Sequence, residues 1–178
     1  MTVQVFGSEI IFNFIPGSQL LSYDTPMKES TKCTECEAIL PKSATCRDYL
    51  NEMIKWDFED FTGVGQVHHL TVLSYNLQHP SVYSEKGLEN AKKSLAKFIL
   101  HPTSYTEHGT EDVKNLASDV REWKITSTVG DQGKYIIKPI WEMTAKDVAE
   151  EGVVNYVENV KKWSESVLKA LKKSGNFN

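Results

Sequence analysis

The sequence contains no long hydrophobic run and no excess of basic charge. None of its apolar stretches approaches the roughly 20 residues that a membrane-spanning helix requires. Glu9 and Asn13 interrupt the apolar residues near the start, where no basic segment is present, so we expect no secretory signal. The 20 basic residues are outnumbered by 24 acidic ones, which gives a net charge of -4. These absences argue against nucleic-acid and membrane binding and predict a cytoplasmic protein.

The short motifs that identify common enzyme classes are also missing. There is no glycine-rich phosphate loop, no G-x-S-x-G turn, no H-E-x-x-H zinc motif and no dinucleotide-binding fingerprint. The sequence therefore assigns no substrate and no reaction. What it does contain is a group of residues of the types that bind metals.

Cysteine is scarce, but its arrangement is informative. The chain has three cysteines, of which Cys33 and Cys36 form a C-x-x-C spacing and Cys46 follows before a helical pattern. An odd number of cysteines with this spacing fits metal binding or thiol chemistry in a reducing compartment better than a disulfide framework.

The hydrophobic pattern predicts a mainly α-helical bundle with small β additions, and the cysteine spacing adds a zinc knuckle to it. A composition of 40% hydrophobic and 25% charged residues is typical of globular proteins, and 178 residues suffice to bury a core. We expect a single domain over residues 1–178. Its predicted parts are short strands and a connection over 1–32, the Cys/His knuckle and helical core over 33–100, a loop and β-hairpin insert over 101–144, and C-terminal helices over 145–178.

Two helices joined by a short glycine-containing loop form the predicted centre of the bundle. The first spans residues 45–58 and begins with Thr45 and Asp48 in the capping-box arrangement. The second spans residues 66–78, and Pro80 prevents its continuation. A short loop between two helices predicts an antiparallel hairpin, in which the start of the first helix lies beside the end of the second.

Further helices are predicted in the remaining segments. They follow Ser84 and end before His101, cover 111–121 with a weak pattern, begin at Thr144 with Asp147 in a second capping box, and run from Val153 until Gly175 ends the last one. The predicted β segments are one or two strands over 3–15 and a hairpin near 123–140, formed by 123–128 and 134–140. Residues 33–42 are too short and too proline-interrupted for regular structure, so we interpret them as a metal knuckle or turn.

The helical hairpin brings one histidine to the cysteines. Cys46 and His79 each lie about 16 Å along their helices from the connecting loop, so a knuckle that reaches Cys46 also reaches His79. Zinc prefers four nitrogen and sulfur ligands in a tetrahedron, and a C-x-x-C turn supplies two of them. The predicted ligand set is therefore Cys33, Cys36, Cys46 and His79. Four protein ligands leave no open position, which is typical of a structural zinc.

His68 is the candidate catalytic residue, with a hydrogen-bonded residue at a helix start as the alternative. It stands about 16 Å from His79 on a straight helix, so the two histidines cannot bind one ion. The sequence alone leaves open which of them completes the metal site. The positive end of the helix dipole keeps an imidazole in the first turn neutral. A neutral histidine there could serve a pocket with Tyr75, Asp57, Glu59 or Asp60 nearby.

Three functions remain open from the residues. We favour a zinc-stabilised helical domain that binds a protein or small ligand. The alternatives are a metal-dependent hydrolase or transferase that uses His68 and a nearby carboxylate, and a thiol redox or sensing protein that uses Cys33 and Cys36. The redox alternative is less favoured because this C-x-x-C does not open an evident helix. The cysteines could also be inert, with Cys46 a small buried residue.

Three motifs carry a resemblance to a known family. The order C-x-x-C-E-A-I-L-P, Thr45-Cys46 and V-H-H-L-T-V-L-S-Y-N-L-Q-H-P resembles a family of small uncharacterised bacterial proteins, a domain of unknown function. The resemblance extends over roughly residues 33–100 and 140–172. It implies a bacterial cytoplasmic origin and no assigned activity. It also groups seven residues without supplying a chemistry for them: Cys33, Cys36, Cys46, His68, Tyr75, Gln78 and His79.

The chain departs from this family at three places. Glu37 stands where the family tends to have glycine, so we expect a different knuckle turn. Arg47 stands where an aromatic residue is usual, and the β-prone insert over 123–140 is longer.

Overall fold

The computed structural model of the chain describes residues 30–59, 67–100 and 126–178. Within these ranges the protein is mainly helical with a small two-stranded antiparallel sheet, as predicted. The strands are β1 (Ser30–Lys32) and β2 (Ile39–Pro41). The α-helices are α1 (Cys46–Glu59), α2 (His68–Gln78), α3 (Glu85–Leu100), α4 (Ala145–Glu150) and α5 (Tyr156–Lys173). Single 3-10 turns, Pro80–Val82 and Val153–Asn155, precede α3 and α5.

Helix α2 is the central element of the bundle. It packs against α1, α3 and α5, while α4 packs against α1 and α5. Contacts with three other helices bury small and polar residues of α2 as well as apolar ones. The buried residues of this helix are Thr71, Ser74, Tyr75, Leu77 and Gln78.

Helix α5 supplies the largest apolar face of the core. Val160, Trp163, Val167 and Leu171 recur at three- and four-residue spacing and are fully buried. The lysines of this helix lie on the opposite face and are exposed, as the sequence predicts. The helix ends at Gly175, whose φ of 70° is left-handed and allows the two backbone hydrogen bonds of a Schellman cap.

The full capping box predicted at Thr144 is confirmed, and at Thr45 the predicted bond to the Asp48 side chain is present. The side chain of Asp48 accepts hydrogen bonds from the backbone N–H and the hydroxyl of Thr45 at the start of α1. Asp147 accepts the same two bonds from Thr144 at the start of α4. These caps fix where α1 begins, and therefore where Cys46 stands.

The predicted hairpin near 123–140 is wrong within the described residues. Residues 134–140 form no strand, and the segment after residue 125 makes isolated bridges to Tyr83 and Ser84 instead. Gly133 explains this difference, since its N–H donates to the Tyr83 carbonyl and a Cβ there would lie 2.9 Å from the Pro80 oxygen. The segment thus packs on the turn before α3 rather than on itself.

The knuckle is more regular than the sequence indicates. Residues 33–42 were expected to lack regular structure, but β2 lies within them and pairs with β1 as a small hairpin. The strands predicted over 3–15 and the helix over 111–121 lie outside the described residues. No helix among the described ranges is long and apolar enough to cross a membrane.

Candidate metal centre

Four predicted ligands come together at one point. The metal-binding atoms of Cys33, Cys36, Cys46 and His79 all lie within 4.8 Å of one another. The first two residues lie in the turn between β1 and β2, the third begins α1, and the fourth directly follows α2. The prediction that Cys46 meets His79 is confirmed, and the four residues lie close enough to hold a metal ion.

The distances within this cluster fit a tetrahedral ion. Cys33 Sγ lies 3.6 Å from His79 Nε2, and Cys36 Sγ lies 3.4 Å from Cys46 Sγ. Zinc bonds of about 2.3 Å to sulfur and 2.0 Å to nitrogen place neighbouring ligand atoms about 3.6 to 3.8 Å apart. Both observed distances agree with this spacing to within a few tenths of an ångström. All three cysteines are free thiols.

The tautomer of His79 is fixed by its own helix. Nδ1 of His79 lies 2.8 Å from the backbone carbonyl oxygen of Tyr75, which can only accept a hydrogen bond. Nδ1 therefore carries a proton, so the nitrogen that faces Cys33 and would bind a metal is Nε2. The ring of Tyr75 stacks on the imidazole with centroids 4.2 Å apart, which fixes the ring plane. A histidine that donates its other nitrogen to a carbonyl is the usual form of a metal ligand.

The turn that carries Cys33 and Cys36 is closed by backbone hydrogen bonds. Cys33 N–H donates to the Ala38 carbonyl over 3.0 Å, and Glu37 N–H donates to the Cys33 carbonyl over 3.1 Å. Glu37 has a φ of 65°, the left-handed conformation that glycine adopts without strain. The turn therefore keeps a conformation that favours glycine although this chain has glutamate there.

Charged side chains fasten the knuckle to the rest of the protein. The Glu37 carboxylate pairs with Lys32 at 3.2 Å and with Lys138 at 2.9 Å. Both lysines lower the pKa of Glu37, Lys138 more strongly. On the other side, the Glu35 carboxylate accepts hydrogen bonds from the N–H and hydroxyl of Ser81, two residues beyond His79. These contacts hold the thiols of the turn against the histidine.

Gln78 fixes the end of α2 on the opposite side. Its side chain is fully buried. Its amide nitrogen donates to the Met143 carbonyl over 2.6 Å, and its amide oxygen accepts from the Trp163 indole over 3.2 Å. The residue next to His79 thereby ties α2 to α5 and to the segment before α4.

The electrostatics of the cluster favour a bound cation. The hydrogen bond from Cys46 lowers the pKa of Cys36 to about 4 despite burial, so Cys36 is a thiolate at neutral pH. The same contact, with burial, raises the pKa of Cys46 far above its usual range. Burial lowers the pKa of His79, but its hydrogen bonds to Cys36 and to the Tyr75 carbonyl outweigh this and raise it to about 9. A divalent cation would take the place of the protons on His79 and Cys46.

Solvent has little access to the cluster. Cys36, Cys46 and His79 are each at most 7% exposed, and Cys33 is half-buried. A metal ion bound by all four residues in such surroundings would keep no open coordination position for a reacting water.

His68 is not part of this cluster. It begins α2, whereas His79 follows the last residue of that helix. The Nδ1 atom of His68 lies 2.7 Å from Oδ2 of Asp57, one of the carboxylates considered from the sequence. Asp60 lies outside the described residues. The ring of His69 packs edge-on against Phe98.

Sequence reasoning missed the residues that support the ligands. Lys138 lies more than 100 residues from Glu37, and nothing in its sequence context indicates the ion pair. The carbonyl of Tyr75 could have been inferred, since residues four apart on a helix are neighbours and a histidine at a helix end can reach back one turn.

A family model matches residues 31–172, which include all four ligands, the Asp57–His68 pair and the described helices. This span contains the segments in which the sequence resembles a domain of unknown function. No curated protein matches the chain. No solved structure matches it either. Because the matched span covers more than half of the 178 residues, the chain belongs to the family of unknown function DUF5946.

Proposed function

We propose that this protein is a zinc-stabilised helical domain whose metal has a structural role. The observation that supports this proposal most directly is that three cysteine sulfurs and one histidine nitrogen lie within 4.8 Å of one another. Thiolate and imidazole ligands in a tetrahedral set favour zinc over harder cations such as magnesium or calcium. The metal would join the turn after β1, the start of α1 and the end of α2.

The burial of the ligands supports a structural role over a catalytic one. A catalytic zinc keeps one position for water or substrate, whereas four protein ligands fill the coordination sphere. His68 lies at the far end of α2, about 16 Å along the helix from His79, so it would not act on this metal. Because Cys46 and His79 complete the set around the C-x-x-C pair, metal binding is also favoured over disulfide chemistry.

Removal of the metal tests this proposal. Structural zinc contributes about 10–16 kcal/mol of apparent binding energy in small zinc domains at neutral pH. Chelation should therefore abolish the far-ultraviolet signal of the helices, and added zinc should restore it. A folded protein without metal that ignores the chelator would overturn the proposal.

The domain would bind a small ligand or a protein segment beside the knuckle. A cavity of about 460 Å³ lies there, which is within the usual range for ligand sites. One wall contains Cys36, so an occupant would lie beside the turn that carries the thiols. The lining residues are Lys32, Cys36, Glu37, Ala38, Ile39, Ile140, Trp141, Thr144, Lys146 and Asp147.

A pair of exposed isoleucines allows a matched test of this cavity. Ile140 lines it and Ile137 does not, and both side chains are largely exposed. Compounds from a small-molecule library that raise the melting temperature of the zinc-loaded protein should lose this effect in Ile140→Asp and keep it in Ile137→Asp. Compounds that raise the melting temperature of both variants equally would show that the binding site lies elsewhere.

We further propose a bacterial cytoplasmic origin for the protein. The family resemblance supports the bacterial origin, and three unpaired cysteines support a reducing compartment.

A further inference from the structure

A second polar site lies at the opposite end of α2 from the metal centre. Asp57, near the end of α1, places Oδ2 2.7 Å from Nδ1 of His68. The Asp57 side chain is only 2% exposed, whereas that of His68 is 31% exposed. The carboxylate is therefore inside the protein and the imidazole is at the surface.

This contact directs the reactive nitrogen of His68 away from the carboxylate. An ionised carboxylate only accepts hydrogen bonds, so Nδ1 carries the proton and Nε2 carries the lone pair. A buried aspartate that holds Nδ1 in this way fixes the orientation and tautomer of the ring. The pair has the geometry of a general base with its positioning carboxylate.

The second oxygen of Asp57 is also held inside the protein. Oδ1 is buried and has no close hydrogen-bond partner among the residues that the structure describes. The Tyr156 hydroxyl, which bonds to Thr71 at 2.7 Å, also interacts with the Asp57 carboxylate. The carboxylate therefore meets the imidazole on one side and a tyrosine hydroxyl on the other.

The surroundings of His68 favour an uncharged, apolar substrate. The ring of Phe58 is 73% exposed and its centroid lies 6.1 Å from that of His68. Glu59 of the same helix turn pairs with Lys55 at 3.8 Å, and the Asp57 carboxylate is buried, so the exposed surface beside the imidazole is the apolar ring of Phe58. An aliphatic or aromatic acyl group could rest on Phe58 while its carbonyl carbon faces Nε2.

We propose that Asp57 and His68 form an acid–base site, independent of the metal, that hydrolyses neutral carboxylic esters. Nε2 of His68 takes a proton from water while the water oxygen bonds to the carbonyl carbon. The tetrahedral intermediate then breaks its bond to the alcohol oxygen, which receives the proton from His68. The products are a carboxylic acid and an alcohol. His68 is the catalytic residue and Asp57 positions it, so this activity goes beyond the role proposed for the metal.

Hydrolysis of p-nitrophenyl butyrate by the zinc-loaded full chain tests the catalytic residue. General acid–base catalysis contributes roughly 10²-fold or more, so His68→Gln should lower kcat/KM by about that factor. His69→Gln removes one imidazole on the same helix turn and should leave the rate unchanged. The zinc content and melting temperature of each variant are measured as well. They show whether a change in rate comes from loss of the metal rather than from loss of the imidazole. A His68→Gln variant that keeps the rate of the unchanged protein overturns the site.

The positioning role of Asp57 needs a readout other than rate. Asp57→Asn keeps the size of the side chain but removes the carboxylate that fixes the proton on Nδ1. The rate should fall by about tenfold or more, as for other residues that orient a histidine. Nitrogen-15 NMR of the imidazole should also show a mixture of tautomers in place of the single Nδ1–H form. If the tautomer of His68 does not change in this variant, Asp57 does not act through His68 and the proposed pair is wrong.

Discussion

The proton on Nδ1 of His79 is held by the carbonyl oxygen of Tyr75, one helical turn earlier, at 2.8 Å. This single contact leaves Nε2 free to face the three cysteines. The Tyr75 side chain adds a second constraint, since its ring lies nearly parallel to the imidazole at 24°. One residue therefore sets both the tautomer and the plane of the histidine ligand.

The stacked ring of Tyr75 can be separated from its carbonyl by mutation. Tyr75→Ala should weaken zinc binding about tenfold, as is typical for residues that orient a ligand. It should also lower the free energy of unfolding by about 3 kcal/mol, because a buried aromatic side chain leaves a cavity. Tyr75→Phe keeps the ring and the carbonyl and should bind zinc unchanged. Competition with a chromophoric chelator measures both affinities, and equal values for the two variants would contradict the orienting role.

Gln78 should be essential for stability although it is not a ligand. Gln78→Ala leaves the Met143 carbonyl and the Trp163 indole without their partner in the interior. Each unpaired group costs about 1–3 kcal/mol, so we expect a loss of about 3 kcal/mol in urea-induced unfolding. Asn76→Ala is the matched control, since Asn76 is only half-buried and makes one long bond of 3.4 Å. A loss at Gln78 no larger than at Asn76 would show that the bridge contributes little.

The left-handed turn at Glu37 predicts different stabilities for two substitutions. Glu37→Ala loses the exposed ion pairs and keeps the strained φ of 65°, so it should destabilise the protein slightly. Glu37→Gly loses the same pairs but relieves a strain of about 1–2 kcal/mol. The glycine variant should thus be about 1 kcal/mol more stable than the alanine variant in thermal unfolding. Equal stabilities would mean that the turn relaxes at no cost.

Zinc binding should release protons. At pH 7 the metal-free site holds one proton on His79, whose pKa is about 9, and one on Cys46, whose pKa is raised. The metal displaces both, so protons compete with it and affinity falls as the pH is lowered. The stability supplied by the metal is accordingly present near neutral pH and lost in acid. Calorimetry in buffers of different ionisation enthalpy should show at least two protons released; fewer than one would contradict these pKa shifts.

Much of the metal centre could be predicted from local sequence. The apolar period and capping box place Cys46 at the start of α1, and Pro80 places His79 at the end of α2. The rise of a helix then brings these two residues to the same end of the hairpin. These features are predictable because the length of a helix, and the direction in which each of its residues faces, depend on residues close together in sequence.

Other features depend on contacts between distant segments, and these were not predictable. The strands β1 and β2 have three residues each, too few for a clear alternation. The hairpin expected near 123–140 failed because Gly133 packs closely against Pro80 and Leu88. The choice of Asp57 over Glu59 as the partner of His68 depends on how α1 and α2 are rotated against each other.

The zinc content of three variants tests the central claim most directly. The purified native chain should contain one zinc per molecule by elemental analysis. Cys46→Ser and His79→Ala should each lose it, because these ligands come from two different helices, whereas His69→Gln should retain it. If both ligand variants kept a full equivalent of zinc, or if the native chain were folded and held none, the metal-centred account of this fold would be wrong.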